Sequence, residues 1–229
     1  LNHFNWVQLI SGISHENTHV ATLLVAIAVL LVLSLAGRWA LGTGEQSIEP
    51  AHHFGLKAIF ETLTEFIIGL VDMVIGEHGR KLTPMFAAIF FFIWINNLLG
   101  LIPGMTPATD NFNTTVAVGI FTFLIYNILG FKEHGFGYLK HFLGPVIYMA
   151  PLMLVIELVS HIVRPFSLGL RLQGNMVGDH TVLSIFLNLA PYGVPVIFYG
   201  LGIFVSTMQA FVFTMLSMIY VAMATAHDH

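Results

Sequence analysis

The sequence predicts an all-α integral membrane protein: about five spanning helices and one amphipathic interfacial helix, in a single membrane domain over residues 1–229. Three observations carry this. Hydrophobic residues make up 56% of the 229 and charged ones only 9%, with a mean hydropathy of +0.84. The apolar residues gather into runs near the ~20 residues that a helix needs to cross a ~30 Å hydrocarbon core. One segment departs from that pattern, with charges down one helix face and apolar side chains down the other. The formal net charge of −4 and the lack of a basic tract argue against a nucleic-acid partner. With no cysteine, disulfides, zinc–thiolate sites and thiol catalysis are excluded. The chain begins at Leu1 without an initiator Met, which leaves a removed leader open, and no signal-peptide pattern is visible.

Residues 1–18 are polar and mixed, ending at Asn17-Thr18, a reasonable helix cap. An apolar segment of spanning length runs from 19 to 41 and closes at Gly42. Within 53–76, Leu56, Ile59, Phe60, Leu63, Phe66, Ile67, Leu70, Val71 and Val74 fall at helical spacing. Lys57, Glu61, Thr64, Glu65 and Asp72 take the other side, so this helix should lie in the interface. Thr83-Pro84 reads as an N-cap with proline at the first helical position, opening a span over 84–102 that stops at Pro103-Gly104. A Thr/Asp/Asn loop precedes a span over 115–131. After the connector from Lys132 to Gly144 the chain is mostly apolar over 145–190, and again from Val194 to about 225 beyond the Pro191-Tyr192-Gly193 turn.

Orientation follows from the basic residues. Outside the stretch around Arg171 they are Arg38, Lys57, Arg80, Lys81, Lys132 and Lys140, and with the interfacial helix lying flat all fall on one side. The positive-inside rule then puts the N-terminus outside and the C-terminus in the cytoplasm. The segment 145–190 is ambiguous. As one helix it would be ~69 Å long, more than twice the hydrocarbon core. Composition equally allows two spans with Arg164 to His180 as a loop between them.

The stretch from Val163 to Met176 carries two arginines, a glutamine and an asparagine between long apolar runs. Arginine keeps its proton at any accessible pH, and one near a bilayer centre costs at least ~2.5–3.5 kcal/mol. If 157–179 is helical and advances ~100° per residue, Glu157 lies about +40° from Arg171, Arg164 about +20°, Ser167 about −40°, Asn175 about +40°, and His161 and Asp179 about +80°. That makes a polar stripe ~33 Å long, the pattern of an ion path. A simpler reading leaves Glu157 and Arg164 pairing and snorkelling near one surface. A permanent charge midway also opposes a continuous cation pore.

Ser167-Leu168-Gly169-Leu170-Arg171-Leu172, followed by Gly174-Asn175-Met176, resembles the signature of subunit a of the F-type ATP synthase. Gln209-Ala210-Phe211-Val212-Phe213 resembles that family's second motif, on its last helix. The resemblance implies that 145–190 and 194–225 form a long tilted helical hairpin against the rotor. It also implies a non-catalytic stator subunit with two offset half-channels. These exchange protons with carboxylates of the rotating c-ring, and the peripheral-stalk b subunits are further partners. The expected location is a bacterial plasma membrane, with no cofactor and no metal. Arg171 is implied as the essential arginine, since a positive charge within ~4–6 Å lowers a carboxylate's pKa by about 1–3 units and favours proton release.

By the same resemblance, Glu157 and Ser167 belong to the inner access path and Asn175 and His180 to the outer one, with Gln209 close to Arg171. Arg164, Asn97, Tyr199 and Ser206 are weaker candidates, Asn97 with its neighbour Asn96 at the outer end of their span. Two departures stand out. The chain reads Gly178-Asp179-His180 where the family commonly has a small pair before the ionisable residue, and Gly202 where many members carry an acid or His. Asp179 is the natural substitute, as a relay with His180. His180 lies about 180° from Arg171 on an ideal wheel, so a distortion or the facing helix must bring it in.

His15-Glu16-Asn17-Thr18-His19 also fits H-E-x-x-H and raises an intramembrane zinc metalloprotease as a rival. That chemistry needs both histidines on one helix face and a third ligand, whereas Asn17-Thr18 reads as a cap. A secondary transporter would also hold intramembrane charges, but no repeated halves are visible.

Overall fold

The computed structural model describes residues 18–41, 55–102, 104–135, 150–189 and 193–225, and no strand occurs among them. Six helices follow one another: α1 Thr18–Leu41, α2 Leu56–Val74, α3 Thr83–Gly100, α4 Phe112–His134, α5 Ala150–Leu189 and α6 Val194–Thr225. All but α2 are long and apolar enough to cross a membrane. The protein is an all-α integral membrane protein.

Three helix boundaries differ from the expected ones. Thr83 is not a cap: a 3-10 turn over Glu77–Leu82 runs directly into α3, and Thr83 already has helical dihedrals, with Pro84 in the first turn. α4 starts about a turn earlier than expected, because Asn111 caps it by accepting the Asn113 N–H at 2.9 Å. The ambiguous 145–190 segment holds one continuous helix from Ala150 to Leu189, with Pro165 inside it and no loop between Arg164 and His180. At 40 residues it is about 60 Å long, so it crosses a ~30 Å core only if strongly tilted.

Side-chain pairs set the directions. Asn175 meets Gln209, Phe186 stacks on Phe198 at 4.2 Å, and Arg164 lies 5.3 Å over the Tyr220 ring. Each pair is symmetric about position 192, so α5 and α6 form an antiparallel hairpin of constant register. Trp94 donates to Thr207 at 3.0 Å and Leu101 abuts Gly202, which makes α3 antiparallel to α6. His161 of α5 meets Tyr126 and Asn127 of α4, while Gln173 reaches the Asp110 carbonyl at the start of α4. Those two helices are therefore antiparallel as well.

Lipid tails are as apolar as leucine, so helices must associate through close packing and polar contacts. The α4–α5 crossing does this with small residues four apart on both helices. A Cβ on Gly119 would collide with the Pro165 carbonyl oxygen, and one on Gly169 would lie 3.1 Å from the Val116 Cα. The remaining core joins Ile67 and Val71 of α2 to Phe86, Phe90 and Ile93 of α3, Leu168 and Leu172 of α5, and Phe213, Met218 and Val221 of α6. So the last turns of the α2 apolar stripe pack on the bundle, while Ile59 and Phe66 stay about half exposed. Arg80 grips Asp72 with two hydrogen bonds of 2.9 and 2.8 Å, tying the end of α2 to the turn before α3. Those bonds, and the guanidinium charge, hold the exposed Asp72 carboxyl below its usual pKa.

Candidate ion-translocation face

α5 carries three polar levels. At the level nearest the start of the helix Arg164 donates to Glu157 at 3.2 Å and lies over Tyr220. These two residues are seven apart on one helix, and the pair is only partly buried. His161 is buried and turned toward α4, with Nδ1 3.3 Å from the Tyr126 hydroxyl and Nε2 2.9 Å from Asn127 Oδ1. Thus the stripe of the ideal helical wheel divides: Arg164 faces α6 while His161 faces α4.

At the middle level Leu168, Leu172 and Met176 point into the bundle and are buried, at four-residue spacing. The opposite face therefore turns outward, and Arg171 is exposed on it, with Phe166, Leu170 and Val177 exposed around it. Arg171 has no ion-pair partner among the described residues. Ser167 is half-buried one turn before it. Asn175, one turn after it and exposed, donates to Gln209 Oε1 on α6. The partner recorded for Gln209 is thus Asn175, at the next turn along from Arg171.

At the level nearest the end of the helix an open cavity of about 540 Å³ lies between α5, the end of α3 and the loop before α4, lined among others by Leu101, Thr106, Asp110, His180, Ser184 and Tyr199. His180 reaches it from the side of α5 away from Arg171. It is the facing helix that meets it, since a Cβ on Gly100 of α3 would lie 2.8 Å from His180 Nε2. Asp179 is half-buried, and its Oδ2 has no hydrogen-bond partner among the described residues. Gly202 faces Leu101, so no ionisable group stands at that position of α6.

Further buried polar atoms occur between this cavity and Gln209. Asn97 Oδ1 accepts from Thr109 at 2.9 Å and Asn96 Nδ2 donates to the Phe92 carbonyl at 2.8 Å. Their remaining atoms, Asn96 Oδ1 and Asn97 Nδ2, have no partner among the described residues, and the same holds for Ser206 Oγ and Gln209 Nε2. Sequence reasoning missed Tyr126, Asn127 and Tyr220, polar aromatic or amide groups in spanning helices whose role depends on the helix opposite. It also missed Asp110, whose backbone carbonyl holds Gln173 at 3.3 Å. Adjacent Tyr126-Asn127 inside an apolar span was the available signal. Of the H-E-x-x-H motif, His15 and Glu16 lie outside the described residues.

The family model for the ATP synthase A chain matches residues 5–222. A protein from Bdellovibrio bacteriovorus called ATP synthase subunit a is 62% identical over 227 residues, 99% of each chain. Proteins of the same name from Trichlorobacter lovleyi and Geobacter sulfurreducens are 45% and 42% identical, each over 89% of this chain and 85% of their own. By the extent of these matches, the chain belongs to the ATP synthase A chain family.

Proposed function

We propose that this chain is the proton-translocating stator subunit of an F-type ATP synthase, non-catalytic itself, working beside a c-ring and held by peripheral-stalk b subunits. The observation that carries the reading is Arg171: a permanent charge exposed among apolar side chains midway along a spanning helix, with no ion-pair partner among the described residues. A charge there needs an opposite charge from another chain. A rotor carboxylate passing within ~4–6 Å would be held ionised by it, and so would release its proton at that point. The same charge stops protons leaking straight across.

Two half-channels then meet this point from opposite ends. Protons reach the outer side through the cavity beside His180 and Tyr199, with Asp179 and His180 as relays. They continue past Asn97, Asn96 and Ser206 to Gln209 and Asn175, where the buried atoms lacking partners among the described residues are suited to ordered water. On the inner side Ser167, Arg164 and Glu157 line the way to the aqueous phase. The orientation follows from charge. Antiparallel packing brings the start of α3 and the end of α4 to one end of the bundle, so Arg80, Lys81 and Lys132 cluster there. The positive-inside rule makes that end cytoplasmic, in a bacterial plasma membrane.

Arg171→Ala should abolish both ATP-driven proton pumping and proton-driven ATP synthesis while the complex still assembles. Arg171→Lys should rescue poorly, because a buried ammonium can lose its proton and lacks the planar fork. Near-normal synthesis in Arg171→Ala membranes would overturn the proposal. Cysteines placed at Asp110 and Lys132 should react with an impermeant reagent from opposite faces, Asp110 from outside; labelling from one face would reverse the orientation argument.

A further inference from the structure

His161 sits where α5 is least able to support itself. Pro165 has no N–H, so the carbonyl of His161, four residues back, loses its usual intrahelical donor. The neighbouring helix supplies rigidity at the same level. Tyr126 and Asn127 of α4 engage the two imidazole nitrogens, and the Phe123 ring meets the imidazole edge to face with centroids 4.9 Å apart.

The proton positions follow from Asn127. Its Nδ2 donates to the Phe123 carbonyl at 2.8 Å, so Oδ1 is the atom facing the imidazole. The reversed amide would set two oxygens against each other. Oδ1 only accepts, so His161 Nε2 carries a hydrogen, Nδ1 is left as an acceptor, and the Tyr126 O–H donates to it. Both nitrogens of a neutral ring are thereby used. A second proton on Nδ1 would force the Tyr126 hydroxyl to turn and would place a cation beside Arg164. Among the described residues, the groups facing this site are Phe123, Tyr126 and Asn127 on α4, Tyr220 on α6, and Arg164 and Glu157 on α5 itself.

We propose that His161 is a positioning residue rather than a proton carrier: as a neutral Nε2–H imidazole it latches α5 to α4 beside Pro165. The latch fixes the rotation of α5 about its axis, turning Arg164 onto Tyr220 and Arg171, ten residues on, toward the outer face. The inference rests on the ion-handling role proposed above for Arg171.

The test uses membranes carrying the whole ATP synthase with His161→Leu, His161→Gln, Tyr126→Phe or Arg171→Ala. The quantity read is ATP-driven proton pumping divided by ATP hydrolysis, a ratio that simple loss of assembled complex leaves unchanged. His161→Leu, which breaks both hydrogen bonds, should lower the ratio several-fold. His161→Gln keeps an amide N–H for Asn127 and a carbonyl for Tyr126, and should restore most of it with the wild-type dependence on inner pH. Tyr126→Phe should fall between them. A Gln variant as poor as Leu, or with an altered inner-pH profile, would make His161 a proton carrier and overturn the latch; so would a wild-type ratio in His161→Leu. If His161→Leu fails to assemble, Tyr126→Phe decides, and an unchanged ratio there overturns the proposal. Coupling retained in Arg171→Ala would instead defeat the assignment of Arg171, whatever the Leu and Gln variants do.

Discussion

The first and second halves of α5 are built on opposite plans. From Glu157 to Arg164 the ionisable side chains are engaged within the bundle: Arg164 by Glu157 and Tyr220, His161 by Tyr126 and Asn127. From Arg171 to His180 the helix presents an exposed charge, a half-buried carboxyl with one oxygen lacking a partner among the described residues, and a histidine opening on a cavity. Buried polar groups are nearly always satisfied, so those left without partners among the described residues call for one from elsewhere. The engaged half reads as a fixed frame. The open half keeps Arg171 exposed and His180 beside a cavity.

Breaking the frame should have the largest effect. Gly119→Ala forces a methyl group onto the Pro165 carbonyl, and Gly169→Val crowds the Thr115-Val116 backbone from the other side. Overpacking of this kind costs about 1–3 kcal/mol, and backbone cannot give way as a flexible side chain can. Both variants should lower the amount of assembled subunit in membranes, read by immunoblot after detergent extraction. Wild-type amounts would mean that the two helices separate more easily than their packing suggests.

Gly174 supplies the contrast on the open half, because a Cβ there meets nothing within 4 Å. Gly174→Leu should leave the amount of subunit unchanged and yet slow ATP-driven pumping, since the exposed face is proposed to run close to a rotor. Unchanged pumping would show that this turn of the face meets lipid alone.

Next in size is the outer relay. Asp179→Asn with His180→Ala should reduce pumping several-fold without making membranes leaky, because the block proposed for Arg171 would remain. The double change should cost more than either single one. Full pumping across external pH of roughly 6 to 8, where histidine titrates, would assign the pair a purely structural role.

The smallest effect belongs to Asp72→Asn, at the surface link between α2 and Arg80. Exposed pairs contribute little. The depressed pKa sets the sign: the contribution of Asp72 is present above its unfolded pKa of about 3.9 and fades as pH falls through the lower folded value. A wild-type and Asp72→Asn comparison of thermal inactivation should therefore show a slight difference at neutral pH and none in strong acid. A large difference at neutral pH would mean that α2 depends on this link.

The spans, the amphipathic helix and the location of the polar stretch were legible because each is a local pattern. A run of apolar residues has a length, an amphipathic helix has a period, and an arginine in lipid is costly wherever the rest of the chain lies. The two motifs around Arg171 and Gln209 likewise stand in the sequence itself, and they pointed to the family that the comparisons then matched. What several of the polar side chains touch depends on helices distant in sequence. His161 fell near the Arg171 stripe on an ideal wheel, yet residues 34 and 35 positions earlier hold it toward α4. Gln209 meets Asn175 because the hairpin register, symmetric about position 192, sets those two turns side by side. Thr83 looked like a cap until a 3-10 turn occupied the residues before it. Periodicity tells which face of a helix is polar. Only tertiary packing tells what that face meets, because a pairing depends on the relative rotation and register of two helices, which neither helix encodes alone.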